Sequence, residues 1–369
     1  MSFSKPKLQF KKGLKTTRRS LFFMLGYGLV LSTTLSSCNQ AEQTTQQPAP
    51  TTTAISNEQP KTDKVVRIVR SKQLSALAVL EKQGSLEKRL APLGYKVEWP
   101  EFAAGPQQLE ALNANGLDIA STAESPPIFS QAAGAPLVYL ATTRPSGKAV
   151  SLIVPTNSPI KTVADLKGKK VAFQKASIGH YLLVRALESA GLKLSDVQSV
   201  FLPPPDANVA FSQDKVDAWF IWEPFVTRNV QKKVGRVLVD GASLRDTGNF
   251  YSTSRQFYQA NPEAIKIFLE ELEKADLWTR DHPQEVAQLL APVTQLDVPT
   301  LEIMHKKYDY GLLPITEQVI NKQQEVADKW YSLGLIPKKV NVRDGFLTPE
   351  EYAKITPSDV IARSSASPK

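Results

Sequence analysis

The chain of 369 residues contains a single cysteine and only three histidines. The cysteine, Cys38, has no partner for a disulfide within the chain, so nothing argues against an exported location. The histidines, His180, His282 and His305, lie far apart in the sequence, and no set of histidine, cysteine and aspartate has the spacing of a metal site. We therefore expect no metal and no cofactor.

The chain also has little net charge once its first residues are set aside. The formal net charge is +9, but residues 1–37 contain seven basic residues and no acidic one. Without this segment, the 45 basic residues fall to 38, against 36 acidic residues, and the net charge falls to +2. Nucleic-acid binding by a basic surface therefore loses most of its support.

Residues 1–37 have the three parts of a signal peptide. A basic start precedes the apolar run LFFMLGYGLVL at residues 21–31, and small residues follow it. This run is shorter than the roughly 20 residues of a membrane-spanning helix, which argues against a permanent transmembrane anchor. Arg18 and Arg19, in TTRRSLFF, resemble a twin-arginine export signal, and an ordinary secretory basic region is the alternative.

Cys38 ends the sequence LSSC, which resembles the lipobox of bacterial lipoproteins. The resemblance implies that Cys38 is lipidated and holds the protein at the membrane; a lone cysteine near a conventional cleavage site is the alternative. Residues 38–63 are rich in Gln, Thr and Pro and poor in large apolar side chains. Because such a segment buries too little surface to fold, we predict a flexible linker to a body that begins near Lys64.

The body alternates short β-branched runs with helical patterns. KVVRIVR, LDIAST, KKVAF and VDAWFIW have strand character, whereas YLLVRALESAG has helical spacing. This alternation predicts an α/β fold with a mostly parallel sheet and helices on both faces. From about Asn261 onward the pattern is nearly all helical.

Three strand-to-helix junctions carry polar side chains suited to an anion. RSKQLSA follows the first strand, STAESPP follows LDIA, and KASIGHY follows KKVAF. Ser or Thr before a helix is more often only a cap, but ligands of such sheets bind at helix N-termini beyond the strand ends. Ser177 lacks the G-x-S-x-G turn of a nucleophile, so holding an anion is favoured over catalysis.

Long stretches of the body resemble the aliphatic sulfonate-binding proteins. They include ESPPIFSQAAGAPLVYLA, SPIKTVADLKGKKVAF, VDAWFIWEPF and PITEQVINKQQEVADKWYSLGLIPKKVNVRD, and the similarity spans nearly all of residues 65–344. These proteins belong to the nitrate/sulfonate/taurine group of solute-binding proteins that serve ABC importers. The resemblance implies a periplasmic-binding-protein-like fold of type II, with two α/β lobes, two crossover segments and a ligand cleft.

The resemblance also implies how the chain is divided and what it does. Lobe 1 would take residues 64–155 and 245–369, including the C-terminal helices, and lobe 2 would take residues 156–244. The implied function is capture of an alkanesulfonate-type organosulfonate outside the cytoplasm by a monomer, which delivers it to an ABC permease and its ATPase. The alternatives are an enzyme on the same fold, such as a pyrimidine-synthesising or decarboxylating relative, and a protein that binds nitrate, bicarbonate or taurine.

Matching the family's motifs by position implies ligand contacts in the first two junctions. The family's Tyr-Gln-Lys run stands here as SKQ at residues 71–73, so an aromatic wall is lost and a cation is gained. The family's Thr-Gly-Glu-Ala-Pro-Pro run stands as TAESPP at residues 122–127. The ionised Glu124 cannot bind an anion, so we expect it to orient donors or to meet an amine. The implied contacts are Lys72, Gln73, Thr122, Glu124 and Ser125.

In the third junction, the family's Gly-Ser-Asn-Val-His-Tyr run stands as ASIGHY at residues 176–181. Ser177 and His180 match, and both are implied substrate contacts. The structural alternative for His180 is a buried, hydrogen-bonded imidazole. Ile178 replaces the family's amide side chain, which favours a larger or more apolar ligand tail.

The sequence DAWFIWEPF matches the family well and supplies two tryptophans. We expect Trp222, rather than Trp219, to line the cleft beside the carbon chain of the ligand. Glu223 is an implied contact that also shapes the return crossover. Arg144 has no trusted counterpart in the family and is considered as an additional anion contact, with a surface salt bridge as the alternative.

Overall fold

The computed structural model describes residues 64–366. The signal peptide, the linker and the lipidation of Cys38 that the sequence predicts all fall outside the described residues. Within residues 64–366, none of the helices has both the length and the apolar character that crossing a membrane requires.

The strands of the described residues form three sheets. The strands are β1 (Lys64–Arg67), β2 (Tyr95–Glu98), β3 (Ala120–Thr122), β4 (Leu137–Thr143), β5 (Val150–Pro155), β6 (Lys170–Phe173), β7 (Gln198–Phe201), β8 (Ala218–Trp222), β9 (Gly235–Asp240), β10 (Phe250–Ser254) and β11 (Leu312–Leu313). One sheet has two strands in the order β1-β2, one has four in the order β11-β4-β10-β3, and one has five in the order β7-β6-β8-β5-β9. The five-stranded sheet therefore takes its strands from one continuous part of the chain.

Helices connect and cover these sheets. They are α1 (Ala76–Gln83), α2 (Ser85–Leu90), α3 (Gly105–Asn113), α4 (Ser125–Ala132), α5 (Ile178–Ser189), α6 (Pro204–Ser212), α7 (Phe225–Gln231), α8 (Arg255–Ala260), α9 (Pro262–Asp281), α10 (Pro283–Thr294), α11 (Val298–His305), α12 (Glu317–Ser332), α13 (Pro349–Ile355) and α14 (Ser358–Ala366). The helical pattern predicted after Asn261 corresponds to α9–α14, interrupted only by the short β11.

The prediction of a mostly parallel sheet is wrong. Within the described residues, β1–β2, β6–β7 and β6–β8 are parallel, whereas β5 runs antiparallel to β8 and β9, and β10 runs antiparallel to β3 and β4. Both β5 and β10 are entered by a segment that crosses from another sheet, and this crossing sets their direction. Alternation of strand and helix in the sequence does not show where such crossings occur.

Two segments connect the four- and five-stranded sheets, residues 144–149 between β4 and β5 and residues 241–249 between β9 and β10. They are joined by backbone hydrogen bonds: Gly241 N donates to Gly147 O (3.2 Å) and to Val150 O (2.8 Å). The β5 strand, which the sequence assigns to lobe 1, pairs in the five-stranded sheet. The division into lobes stays a prediction.

The strand β8 shows how the sequence distributes its aromatic residues between two packing faces. Successive side chains of a strand point to opposite faces of its sheet. Phe220 joins the larger hydrophobic core, whereas Trp219 and Ile221 join a second cluster with Phe211 and Val226. Trp222, at the end of the strand, is half-buried and packs against both clusters.

Candidate functional site

A cleft of about 790 Å³ brings the three predicted junctions together. We call it the central cleft. Its walls include residues 71–76 before and at the start of α1, residues 103–105 at the start of α3, residues 121–123 at the end of β3, residues 177–178 at the start of α5, Trp222 and Arg245. Loops that are more than 100 residues apart in the sequence therefore share one crevice. Ligands of open α/β sheets bind in such a crevice at the strand ends.

Helix N-termini meet at this cleft. α1 is capped by the Ser75 hydroxyl, which accepts a hydrogen bond from Ala78 N (3.3 Å), and α5 is capped by Ser177. α3 begins at Gly105 without a side-chain cap. A Cβ at Gly105 would lie 2.9 Å from Pro126 Cγ and 3.3 Å from a methyl carbon of Thr122, so glycine allows α3 to approach the second junction closely. Unpaired N–H groups and the positive ends of helix dipoles favour an anion here.

Ser177 has its hydroxyl engaged in local backbone hydrogen bonds. The hydroxyl donates to Gln174 O (2.7 Å) and accepts a hydrogen bond from His180 N (3.4 Å). The preceding residue, Ala176, has a left-handed backbone conformation with φ of 61°, which turns the chain into α5. Because neither of these hydroxyl bonds involves a general base, the geometry is that of a helix cap at the cleft wall.

Thr122 lines the central cleft and has a buried hydroxyl. Its side chain is 3% exposed, and no group of the described residues forms a hydrogen bond with its Oγ1 atom. Buried hydroxyls are normally hydrogen-bonded, so this atom is available to an incoming acceptor. The hydroxyl of Ser125 is also buried and without a partner among residues 64–366, but Ser125 does not line the cleft.

Glu124 lies behind the cleft wall and pairs with an arginine that the sequence did not indicate. Arg245 Nη2 donates to Glu124 Oε2 (3.2 Å) and to Asn249 Oδ1 (2.7 Å). The Arg245 side chain is 4% exposed and lines the cleft, whereas Glu124 is fully buried. Burial raises the pKa of Glu124, and the nearby Arg245 charge opposes that rise. The predicted role of Glu124 in orienting donors is compatible with this contact.

Glu223 is buried next to the cleft rather than in its wall. Its carboxylate accepts hydrogen bonds from Thr227 N (3.0 Å) and Thr227 Oγ1 (2.9 Å), and it pairs with Lys307. The following Pro224 and Phe225 line the cleft. Glu223 therefore fixes the start of α7, and its contact with substrate stays a prediction.

His180 is buried in an aromatic cluster. Its ring stacks on Phe173 (centroids 4.7 Å apart) and packs against Trp330, while its Nδ1 accepts a hydrogen bond from Ala176 N (3.2 Å). Burial, aided by the charge of Lys175, lowers the pKa of His180 to about 4. The imidazole is therefore neutral near pH 7, and it does not line the central cleft.

The two tryptophans of β8 occupy different environments. Trp219 is completely buried and packs against Phe211 and Phe225. Trp222 lines the central cleft together with Ile178. Phe102 and Phe225 add further apolar surface to the same cleft, which gives a ligand tail several groups to pack against.

The first junction also reaches the cleft. Lys72 and Gln73 both line it, but the Lys72 ammonium pairs with Glu101 (2.7 Å), and its side chain is 57% exposed. Exposed ion pairs contribute little energy. Arg144 is exposed and does not line the central cleft.

Solved structures share this fold. The alkanesulfonate-binding protein SsuA from Xanthomonas axonopodis pv. citri, bound to MOPS, is 36% identical, with a TM-score of 0.74, and the match covers 77% of this chain and 98% of that one. The periplasmic aliphatic sulphonate binding protein SsuA from Escherichia coli is 42% identical, with a TM-score of 0.70 and coverage of 78% and 92%. The α/β fold is thus that of the type II periplasmic binding proteins, as the sequence predicted.

Sequence comparison gives the family. The model of the family described as "NMT1/THI5 like" matches residues 94–286. A relative in Escherichia coli (strain K12), named as an aliphatic sulfonates-binding protein, is 42% identical over 287 residues, which cover 78% of this chain and 89% of the relative. The chain belongs to the NMT1/THI5-like family, and the resemblance to sulfonate-binding proteins predicted from its sequence is confirmed.

Proposed function

We propose that this protein captures an organosulfonate outside the cytoplasm and delivers it to the permease of an ABC importer. The observation that carries the proposal is the central cleft, where helix N-termini and the buried Thr122 hydroxyl converge beside apolar side chains. The names of the similar proteins from Escherichia coli and Xanthomonas axonopodis, both of which bind sulfonates, support the same ligand class.

The polar part of the cleft suits the sulfonate head. A sulfonate carries one negative charge over three oxygens, all of which accept hydrogen bonds. The N-termini of α3 and α5 offer N–H groups, and Thr122 offers a hydroxyl without a partner among the described residues. Such donors bind an anion through directed hydrogen bonds and through the partial positive charge at the helix N-terminus. We propose Thr122, Lys72 and Gln73 as groups that meet the head, and Ser177 as the cap that holds the N-terminus of α5 beside it.

The apolar part of the cleft suits a carbon chain. Trp222, Ile178, Phe102 and Phe225 all line it. Each methylene buried against such surface contributes about 0.8 kcal/mol. Nitrate and bicarbonate have no carbon chain to use this surface, so the cleft favours an organosulfonate over those small anions.

Location and anchoring complete the proposal. A similar protein is named as periplasmic, and the signal peptide and lipobox predicted for residues 1–38 would place this protein outside the cytoplasm, held to the membrane by a lipid on Cys38. We propose a monomeric binding protein without catalytic activity. Glu124, Ser125, His180 and Glu223 would support the cleft from behind, since they do not line it.

Isothermal titration calorimetry of the purified protein tests the ligand class. The panel contains alkanesulfonates of increasing length, taurine, an aryl sulfonate, an alkyl sulfate and nitrate. We expect alkanesulfonates to bind and nitrate not to bind. A ligand at a hundred times its Kd raises the stability of the folded protein by about 2.7 kcal/mol, so a thermal melt gives an independent readout. Binding of nitrate alone, or turnover of a bound sulfonate, would contradict the proposal.

A further inference from the structure

Arg245 lies in the wall of the central cleft, on the segment that connects β9 to β10. Its side-chain hydrogen bonds to Glu124 and Asn249 both use Nη2. The Nε atom is buried, and no acceptor within residues 64–366 forms a hydrogen bond with it. A guanidinium has five N–H donors. The Nη2 bonds hold the side chain in place, and other N–H groups of the guanidinium can still donate to a ligand.

Other cations of the cleft are placed differently. Arg70, Lys72 and Lys82 are exposed, and Arg70 and Lys72 pair with Glu81 and Glu101. Arg228 is half-buried and donates to the carbonyl of Thr294. Arg245 is thus the buried cation among the described residues that line the cleft. A buried charge interacts more strongly with a ligand than an exposed one, because water screens it less.

The ion pair with Glu124 does not by itself offset the desolvation cost of burying Arg245. A buried ion pair recovers its desolvation cost only when its remaining polar atoms are also hydrogen-bonded. Here Glu124 Oε1 and Arg245 Nε are both buried without a partner among the residues described, which leaves the pair incomplete. Thr122 Oγ1 is unpartnered as well and lines the same cleft. An anion in the cleft would supply acceptors for both Arg245 and Thr122.

We propose that Arg245 is the specificity-determining cation of the cleft, donating a charge-assisted hydrogen bond to the anionic head of the ligand. This inference rests on the proposed function. Glu124 and Asn249 position the guanidinium, and its charge favours an anionic head over an uncharged analogue, because a hydrogen bond to a charged oxygen is stronger than one to a neutral oxygen.

The test compares two variants that differ only at residue 245, Glu124→Gln and the double variant Glu124→Gln/Arg245→Gln. Removing Arg245 alone would leave a buried, unpaired carboxylate at Glu124, and the shared Glu124→Gln background avoids this. Calorimetry measures the Kd of each variant, and of the unsubstituted protein, for an alkanesulfonate and for the methyl sulfone with the same carbon chain. The sulfone keeps two oxygens but carries no charge.

We expect the Glu124→Gln variant to prefer the sulfonate over the sulfone. In the double variant, the ratio of the Kd for the sulfone to the Kd for the sulfonate should fall at least tenfold, which corresponds to about 1.4 kcal/mol. Arg185→Gln is the control, because Arg185 pairs with Asp246 but does not line the cleft. An equal preference in both test variants, or an equal loss of affinity for both ligands, would overturn the inference while leaving sulfonate capture intact. Failure of the unsubstituted protein to bind the sulfonate would instead remove the proposed function.

Discussion

Gly147 and Gly241 lie in direct backbone contact where the two connecting segments cross. A Cβ atom at Gly147 would lie 2.4 Å from Gly241 O and 2.8 Å from Ala242 Cα, distances that real Cβ atoms do not adopt. A Cβ atom at Gly241 would likewise lie 2.8 Å from Gly147 O. The absence of both side chains therefore lets the two segments pass each other closely enough to form the hydrogen bond between Gly241 N and Gly147 O.

Gly147→Ala is expected to destabilise the fold by about 1–3 kcal/mol, the usual cost of overpacking. The added methyl group meets backbone atoms, which cannot turn away as a flexible side chain can. Urea unfolding measures the change. Gly116→Ala is the matched control, because its Cβ would meet only Ala111 atoms at 3.6 Å or more. Equal stability of the two variants would show that the segments tolerate separation.

Thr122→Val is expected to weaken sulfonate binding by about 1.5–3 kcal/mol, the range for a hydrogen bond to a charged group. It should not lower the stability of the ligand-free protein, because the hydroxyl it removes is buried without a partner among the described residues. Calorimetry and thermal melts measure the two effects. An unchanged Kd would remove Thr122 from the binding site.

Ser177→Ala, in contrast, is expected to lower both stability and affinity. The Ser177 hydroxyl caps α5 through His180 N and bonds Gln174 O, so its loss should cost about 1 kcal/mol of folding free energy even without ligand. The same measurements apply. A variant with normal stability and weaker binding would mean that the hydroxyl serves the ligand alone.

Trp222→Ala is expected to reduce affinity more for long alkanesulfonates than for short ones. In the unsubstituted protein, each added methylene that is buried should contribute about 0.8 kcal/mol, and removal of the indole should flatten this dependence on chain length. Calorimetry with methane-, butane- and octanesulfonate gives the slope. Phe201→Ala is the control, because Phe201 is 51% exposed and lies outside the cleft. The same slope in both variants would exclude contact between Trp222 and the tail.

Acidification should destabilise the protein through His180. Its pKa is lowered from 6.5 to about 4 in the folded state, so below pH 6.5 the unfolded chain binds a proton that the folded chain excludes. The stability that His180 contributes is therefore fully present above pH 6.5 and is lost as the pH falls towards 4, by roughly 3 kcal/mol in total.

The variant His180→Gln isolates this effect. Urea unfolding of both proteins between pH 7 and pH 4 should show a smaller loss of stability in the variant. An NMR titration of the imidazole gives the pKa directly. A pKa near 6.5 would show that water reaches the ring and that the cluster around it opens.

The sequence predicts much of the fold because its signals are local. The strand and helix patterns depend on neighbouring residues, so they also show where each strand ends and the following helix begins. The direction of β5 and β10 is different, because it depends on where the chain crosses between sheets. Similarly, Gly147 and Gly241 mark the crossing only when their contact is known.

The candidate site was predictable where a motif carried it. Thr122, Ser177 and Trp222 stand in recognisable junctions, and the structure places all of them in one cleft. Arg245 has no such signal: it stands within the segment between β9 and β10, in no motif recognised from the sequence, and its partner Glu124 is 121 residues away. For His180, the sequence shows a helix start but not the ring of Phe173 that covers it.

The pairing of Ser151 with Asp240, at the two ends of the segment that builds the five-stranded sheet, has an architectural consequence. The chain enters and leaves this segment at neighbouring points, so residues 150–240 form an insertion within the rest of the molecule. Because its two ends are adjacent, this segment could be replaced by that of a related protein without changing the path of the remaining chain. The replacement would bring in new residues at positions 177, 178 and 222, whereas Thr122 and Arg245 would stay.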